Sequence, residues 1–404
     1  MSQLDHDFRP TMAPVHGWST GLSPDHQMIL DQADRVGRKL LYPLAARMDD
    51  EEWWPDAEFR HLGSEGFMGI TAPTELGGLG SDIFSSGLIA QAFARWNHAL
   101  ALSWVVHENL CLNNIDANAS PEQRARFLPK LCSGEWIGAL GLTEPGAGSD
   151  ALGAMATTAR RDGDDYVLNG SKIYITNGPI ADIVLVYAKT DLTRKQKGIS
   201  AFVVKTDTPG FQVAQKLKKM GYRGSQTGEL VLDECRVPAA NRLKGENEGV
   251  GVIMSGLDLE RAMISPICLG ICERALELTI EHAKTRRQFS QPIAEFQMVQ
   301  AKIAEMYVWI ETMRSFTYQV LADCQQVAHG ESGHGRIHAL TAASVMYAAE
   351  MTNRVLDHAV QVHGGTGYIW ESEINRLFRS TKLMEIGAGT TEIRKLIIAG
   401  ELLK

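Results

Sequence analysis

The sequence predicts an α+β protein in which two helical units flank one β unit. Three observations carry that prediction. Apolar residues recur at helical spacing from Ser23 to about Cys132, short β-branched runs divided by Asn-Gly, Asp-Gly and Pro-Gly turns fill roughly 138–247, and four long amphipathic stretches follow Gly249. Helices segregated from a single β unit define the α+β arrangement.

Residues 1–24 read as an irregular arm, because Pro10, Pro14, Gly17, Gly21 and Pro24 interrupt regular backbone pairing. A helical domain is expected over 25–137, as in His26-Gln-Met-Ile-Leu-Asp-Gln-Ala-Asp-Arg-Val36 and Ile89-Ala-Gln-Ala-Phe-Ala-Arg95, interrupted by Leu76-Gly-Gly-Leu-Gly-Ser-Asp82. An antiparallel β domain over 138–247 is built from runs such as Tyr166-Val-Leu168, Ile173-Tyr-Ile-Thr176, Ile183-Val-Leu-Val-Tyr187 and Ala201-Phe-Val-Val204. The remainder, 248–404, reads as a four-helix bundle with stretches at about 250–283, 293–329, 336–362 and 375–404, the last broken at Gly387-Ala-Gly389. No internal repeat or low-complexity tract is visible.

At 404 residues the chain has room for two or three packed units at roughly 150 residues each. Hydrophobic residues make up 44% and charged residues 22%, the profile of an ordinary soluble globular protein and not of a disordered or fibrous one. The net charge of −8 argues against a nucleic-acid surface while leaving room for local basic pockets. The six cysteines, Cys111, Cys132, Cys235, Cys268, Cys272 and Cys324, form no C-x-x-C pair and lie at no metal-ligand spacing with histidines. They read as buried thiols in a reducing compartment, and no metal is expected. The acidic start, Met1-Ser-Gln-Leu-Asp-His-Asp7, has no apolar run behind it, and no membrane span is visible. A cytoplasmic protein is the expectation, although a processed organellar enzyme would look the same.

Neither a G-x-G-x-x-G after a strand nor a G-x-x-x-x-G-K-[ST] is present, so a dinucleotide must be held in another way. The candidate is Leu142-Thr-Glu-Pro-Gly-Ala-Gly-Ser-Asp150, whose glycines and hydroxyls let backbone approach a ligand closely. By itself it reads equally as a turn. Together with Asn169-Gly-Ser-Lys-Ile-Tyr-Ile-Thr-Asn-Gly178, however, it closely resembles the paired β-domain signatures of acyl-CoA dehydrogenases. Met254-Ser-Gly-Leu-Asp-Leu-Glu-Arg261, Arg286-Arg-Gln-Phe289, Gln361-Val-His-Gly-Gly-Thr-Gly-Tyr368 and Gly387-Ala-Gly-Thr-Thr-Glu392 resemble further motifs of that family, in the family's order.

The resemblance implies an FAD enzyme, usually a homotetramer, that passes electrons to an electron-transfer flavoprotein. Leu142, Thr143, Gly148, Ser149, Tyr174 and Thr176 match positions around the flavin ring and the start of the acyl-CoA, Ser149 serving both. Tyr174 stands where members commonly carry Trp, so an aromatic face is retained with an altered fit. Arg286 and Phe289, with Gln361, Gly364 and Gly365, resemble the set that grips the FAD pyrophosphate and adenine across a subunit contact. Thr390 and Glu392 match FAD-contacting positions and also read as a helix N-cap. His107, His358 and His363 are most simply core or loop histidines.

The family's reaction removes an alpha proton from a thioester, an acid with a pKa on the order of 20, so it needs a desolvated base and donors to the enolate oxygen. Hydride leaves the beta carbon for flavin N5. Most members keep the base immediately before the last Gly-Thr, where this sequence has Ala388. The isovaleryl-CoA branch carries it in Gly-Leu-Asp-x-Glu-Arg instead, and Gly256-Leu-Asp-Leu-Glu-Arg261 supplies it as Glu260. On the same helix Asp258 and Arg261, three apart, share a face that Glu260 does not. The family assigns that pair to the CoA portion; alone they read as a surface ion pair. Arg223, in Met220-Gly-Tyr-Arg-Gly-Ser225, has a structural or site-supporting role.

Small Gly387 and Ala388 leave space for a branch at the beta carbon. Met384 stands where the isovaleryl branch has Tyr, and Ser265-Pro266 replaces a small-residue run, so the far pocket wall differs. An isovaleryl-like or longer, citronellyl-like substrate of leucine or terpenoid breakdown is therefore expected. The competing readings are an acyl-CoA oxidase that uses oxygen and a non-catalytic flavin-bound scaffold or assembly protein; Glu260 weighs against the second.

Overall fold

The computed structural model describes residues 22–325 and 334–404. Positions 1–21 of the expected arm, and the end of the helix expected over 293–329, lie outside the described residues. The first helix, α1 (Pro24–Val36), starts where Ser23 accepts a hydrogen bond from the His26 amide, with Pro24 in the first turn. Short helices α2 (Ala45–Glu51) and α3 (Asp56–Ser64) lead to α4 (Ile83–Val105). That helix is capped by Asp82 and continues through a π-helical segment, Val106–Asn113, into α5 (Asn114–Asn118) and α6 (Pro121–Cys132).

The β unit comprises β1 (Gly138–Gly141), β2 (Thr158–Asp162), β3 (Asp165–Thr176), β4 (Ile183–Lys189), β5 (Ile199–Lys205), β6 (Phe211–Lys216), β7 (Thr227–Pro238) and β8 (Arg242–Leu243). They form one eight-stranded sheet in the order β6-β7-β3-β2-β4-β5-β8, with β1 paired to β4. The expected all-antiparallel pattern needs correction: β1 and β2 each pair with β4 in parallel. A tight turn reverses direction, whereas the chain from Gly141 to Ile183 is long enough to return and enter β4 in the same sense.

Beyond the sheet come α7 (Gly249–Thr285), a small hairpin of β9 (Arg287–Gln288) and β10 (Gln291–Pro292), α8 (Gln297–Cys324), α9 (Gly335–His363), α10 (Gly365–Tyr368), α11 (Glu373–Thr381) and α12 (Thr391–Leu402). Contacts between α7 and α9 proceed in step from Asp258–His338 through Ser265–Ser344 to Cys272–Thr352, so these two helices are parallel. The two helical units share one core, in which Leu88, Phe93 and Leu100 of α4 meet Ile267, Leu269, Leu321 and Val355. The reason is local: α4 is apolar on nearly every face and must be covered all round. All six cysteines are buried and free. No described helix is long and apolar enough to cross a membrane.

Candidate active site

Glu260 sits immediately before a change in the character of α7. From Arg261 to Cys272 the helix is buried without a break, and Pro266 denies the Ala262 carbonyl its usual helical amide. Glu260 itself is half-buried. Its surface area alone would leave the carboxyl ordinary, but the surrounding protein strips water from it and raises its pKa to about 7, against the pull of the Arg261 and Arg394 guanidiniums. No hydrogen bond from the described residues holds the carboxylate. An unanchored carboxylate near pKa 7 matches the requirements of a general base.

Asp258 and Arg261 do share a face, but not as a surface ion pair: their side chains are 1% and 5% exposed, with Nη1 to Oδ1 at 3.4 Å. His338 Nδ1 lies 2.6 Å from the same Asp258 oxygen, and Thr341 Oγ1 lies at 3.5 Å. The cluster is built inside the helix packing, where it ties α7 to α9. Arg261 also reaches across the site, its Nε donating to the Ala388 carbonyl at 3.4 Å.

That contact brings the last motif to the base. Between α11 and α12 the chain turns through Ala388 at φ +55° and Gly389 at φ +93°, and Arg394 donates from Nη2 to the Gly387 carbonyl at 2.6 Å. A non-glycine residue with left-handed backbone is strained, and a small side chain keeps that strain tolerable. Thr390 is the N-cap of α12, accepting from the Ile393 amide, and Glu392 is exposed in its first turn. Met384, expected on the far pocket wall, is 3% exposed and belongs to the shared core, on the 3-10 turn at Lys382–Glu385.

The β-unit motifs meet through backbone and one buried ion pair. Ile173 N donates to Thr143 O at 2.9 Å, which sets the Leu142–Ser149 loop beside Tyr174 and Thr176 on β3. Lys172, with no exposed side-chain surface, donates to the Leu142 carbonyl at 3.2 Å and to Glu144 Oε1 at 2.7 Å. Glu144 in turn accepts from the Ala156 and Thr157 amides, and its pKa is held below the usual carboxylate range despite burial, by Lys172 above all. The loop is therefore clamped from beneath while Gly148 and Ser149 stay exposed. Tyr174 occupies a bulge in the β3–β7 pairing at φ +61° and is 67% exposed, a large aromatic side chain left mostly open by the described residues.

Arg286, Phe289, Gln361, Gly364 and Gly365 gather elsewhere. Arg286 caps α7 and Gln361 lies at the end of α9, two helix ends joined by a His282–His363 ring stack at 4.4 Å. Phe289 and Ser290 turn the β9–β10 hairpin at φ +50° and +68°, leaving the Phe289 ring 90% exposed. Gly364 adopts φ 60°, ψ −136°, a conformation open to glycine, and a Cβ at Gly364 or Gly365 would meet empty space. Within one chain this group is 26 residues farther along α7 than Glu260, roughly 39 Å at about 1.5 Å per residue.

Several site residues escaped the sequence. Arg394 reads as a solvated charge beside Lys395, yet it is fully buried. Tyr187 reads as one more β-strand aromatic, yet burial, with Cys111 and Glu260 nearby, raises its pKa so that it stays protonated. His338 carries no local motif. The histidines that were expected in the core include His107, which accepts from the Gly138 amide and donates to the Leu131 carbonyl; burial lowers its pKa to about 4, so it is neutral.

Models of the acyl-CoA dehydrogenase N-terminal, middle and C-terminal domains match residues 23–135, 139–235 and 247–403. The chain is 41% identical over 393 residues to a protein named mitochondrial isovaleryl-CoA dehydrogenase from Pongo abelii, covering 96% of this chain and 91% of that one. It is 40% identical over 408 residues to a mitochondrial 2-methylacyl-CoA dehydrogenase from Solanum tuberosum, covering 100% and 97%. Among solved structures, butyryl-CoA dehydrogenase from Megasphaera elsdenii superposes with a TM-score of 0.90 at 35% identity, covering 95% of this chain and 99% of that one. Helical, β and helical units in this order, matched along nearly the whole length, place the chain in the acyl-CoA dehydrogenase family, and it is an oxidoreductase of that kind.

Proposed function

We propose that the chain oxidises an acyl-CoA thioester between its alpha and beta carbons, on an acyl group branched at the beta carbon, with Glu260 as the base. The observation that carries this reading is the Glu260 carboxyl: desolvated to a pKa of about 7, without a hydrogen bond from the described residues, and under the influence of Arg261 and Arg394, which are bonded to the Ala388 and Gly387 carbonyls. A base near neutrality combines a populated anionic form with useful proton affinity. Glu260 takes the alpha proton, and the Tyr187 hydroxyl, kept protonated, adds a neutral polar group to its surroundings.

The cofactor is FAD, which when bound accepts the hydride released from the beta carbon. Features of this chain that fit it are the uncovered Tyr174 ring, the Thr143 and Thr176 hydroxyls beside it, and the open backbone at Gly148. Arg286, Phe289, Gln361, Gly364 and Gly365 suit a diphosphate and an adenine ring, but a single FAD does not span roughly 39 Å of helix, so they serve the cofactor of a second copy. A homotetramer follows as the assembly, with an electron-transfer flavoprotein as the electron acceptor. The branched acyl group rests on the room left by Ala388 and on the relatives named for isovaleryl and 2-methylacyl thioesters.

A panel of thioesters scored by anaerobic flavin bleaching tests this. Isovaleryl-CoA or a longer beta-branched chain should bleach fastest, and an optimum on butyryl-CoA or on 2-methylbutyryl-CoA would reject the beta-branched assignment.

A further inference from the structure

The least expected group in the site is Arg394. It lies on the first turns of α12 with no accessible surface, and among the described residues only its Nη2 has a partner, the Gly387 carbonyl at 2.6 Å. Nε and Nη1 are buried without a partner. A buried guanidinium with idle donors is expensive in free energy unless an anion stands near it. The anion within its electrostatic reach on α7 is Glu260, with Glu385 on the approach to α12 as the second. Arg261 also acts electrostatically on Glu260 and is bound to the adjacent Ala388 carbonyl. Two arginines thus grip consecutive carbonyls of one strained turn and bracket one carboxylate.

We propose that Arg394 is a positioning residue for the base: it fixes the Gly387–Gly389 turn across from Glu260 and, together with Arg261, keeps that carboxyl ionised where burial would otherwise protonate it. Burial lowers the Arg394 pKa to about 10, so it remains cationic at neutral pH. Other titratable groups around Glu260 do not take over this role. Tyr187 from β4 stays neutral, Asp258 is engaged by Arg261 and His338 of α9, and the Cys268 thiol is pushed up to about 11 and uncharged. The inference rests on Glu260 being the base, and the sign follows from charge: removing the Arg394 cation raises the carboxyl pKa, so more of the base is protonated at neutrality.

The test is an infrared titration of the Glu260 carboxyl C=O band in the holoenzyme, with Glu260→Gln as the blank that identifies the band. It is run beside the pH profile of kcat/KM for the wild type, Arg394→Lys and Arg394→Gln. The Gln variant should move both the band midpoint and the acid limb upward by about one pH unit, a tenfold change in acidity. The Lys variant, which keeps the charge and can fold where Gln fails, should stay within about 0.3 unit while its KM rises because one donor replaces the fork. Coincident midpoints in the Gln variant and wild type, or in the Lys variant a shift as large as a full unit, would overturn the proposal. Full turnover by Glu260→Gln would reject the base itself and is a separate outcome.

Discussion

The two ends of α7 are built on opposite plans. At the Glu260 end the charged groups face one another within the same chain: Asp258 meets Arg261 and His338, the turn carbonyls meet Arg261 and Arg394, and the base feels both guanidiniums. At the far end the chain leaves a phenylalanine 90% exposed on a strained hairpin and a glycine pair facing empty space. Exposed large apolar groups and unfilled backbone are what an interface looks like before its partner arrives. On the proposed reading, the difference teaches that one protomer assembles the acid–base chemistry, whereas the grip on the distal part of the cofactor calls for a second.

The sharpest way to break this contrast is Glu260→Gln. Loss of a general base should lower kcat by on the order of 10³-fold while bound flavin absorbance is retained. Undiminished turnover would mean that the self-sufficient end of α7 is not the reacting end. Next in size is Lys172→Met beneath the flavin loop, which strands a buried Glu144 carboxylate; thermal or urea unfolding should show a loss of about 3–5 kcal/mol. A loss below about 1 kcal/mol would show that this clamp is not built within the chain as its geometry indicates.

At the far end, Gly364→Ala should cost about 1–3 kcal/mol through its glycine-only backbone and should also loosen FAD, measured by fluorescence of released flavin. The wild-type pH profile gives a smaller, graded effect: kcat/KM should fall as pH drops through about 7, because Glu260 acts only when deprotonated. The mildest change is Phe289→Ala, within about 0.5 kcal/mol for the protomer's own unfolding because the ring touches solvent. Its effect should appear instead as weaker FAD retention and as dissociation in light scattering. A large loss of protomer stability with unchanged assembly would erase the contrast between the two ends.

Much of this was legible in the sequence. The helical, β and helical order came from hydrophobic period and turn residues, both local properties that survive folding. Glu260 stood out through the exchange of a carboxylate between two motif positions, Ala388 and Glu260. The parallel pairing of β1 with β4 was hidden because strand direction depends on the path of the intervening chain. Arg394 and His338 were hidden for a related reason: a charged residue one turn into an amphipathic helix has the same local pattern whether its face meets water or a core.

The amino-acid order by itself determined the element types and the family, and it nominated Glu260 as the base, since each is written in neighbouring residues. Only the tertiary structure decided that Asp258 and Arg261 are buried supports, that Met384 faces the core, and that two arginines bracket Glu260. It also decided where the proposed cofactor residues fall: one group on the β unit, the other where the ends of α7 and α9 meet. The physical reason is that pKa, burial and reach depend on which distant segments come to lie against a side chain, and those contacts exist only once the chain has closed on itself.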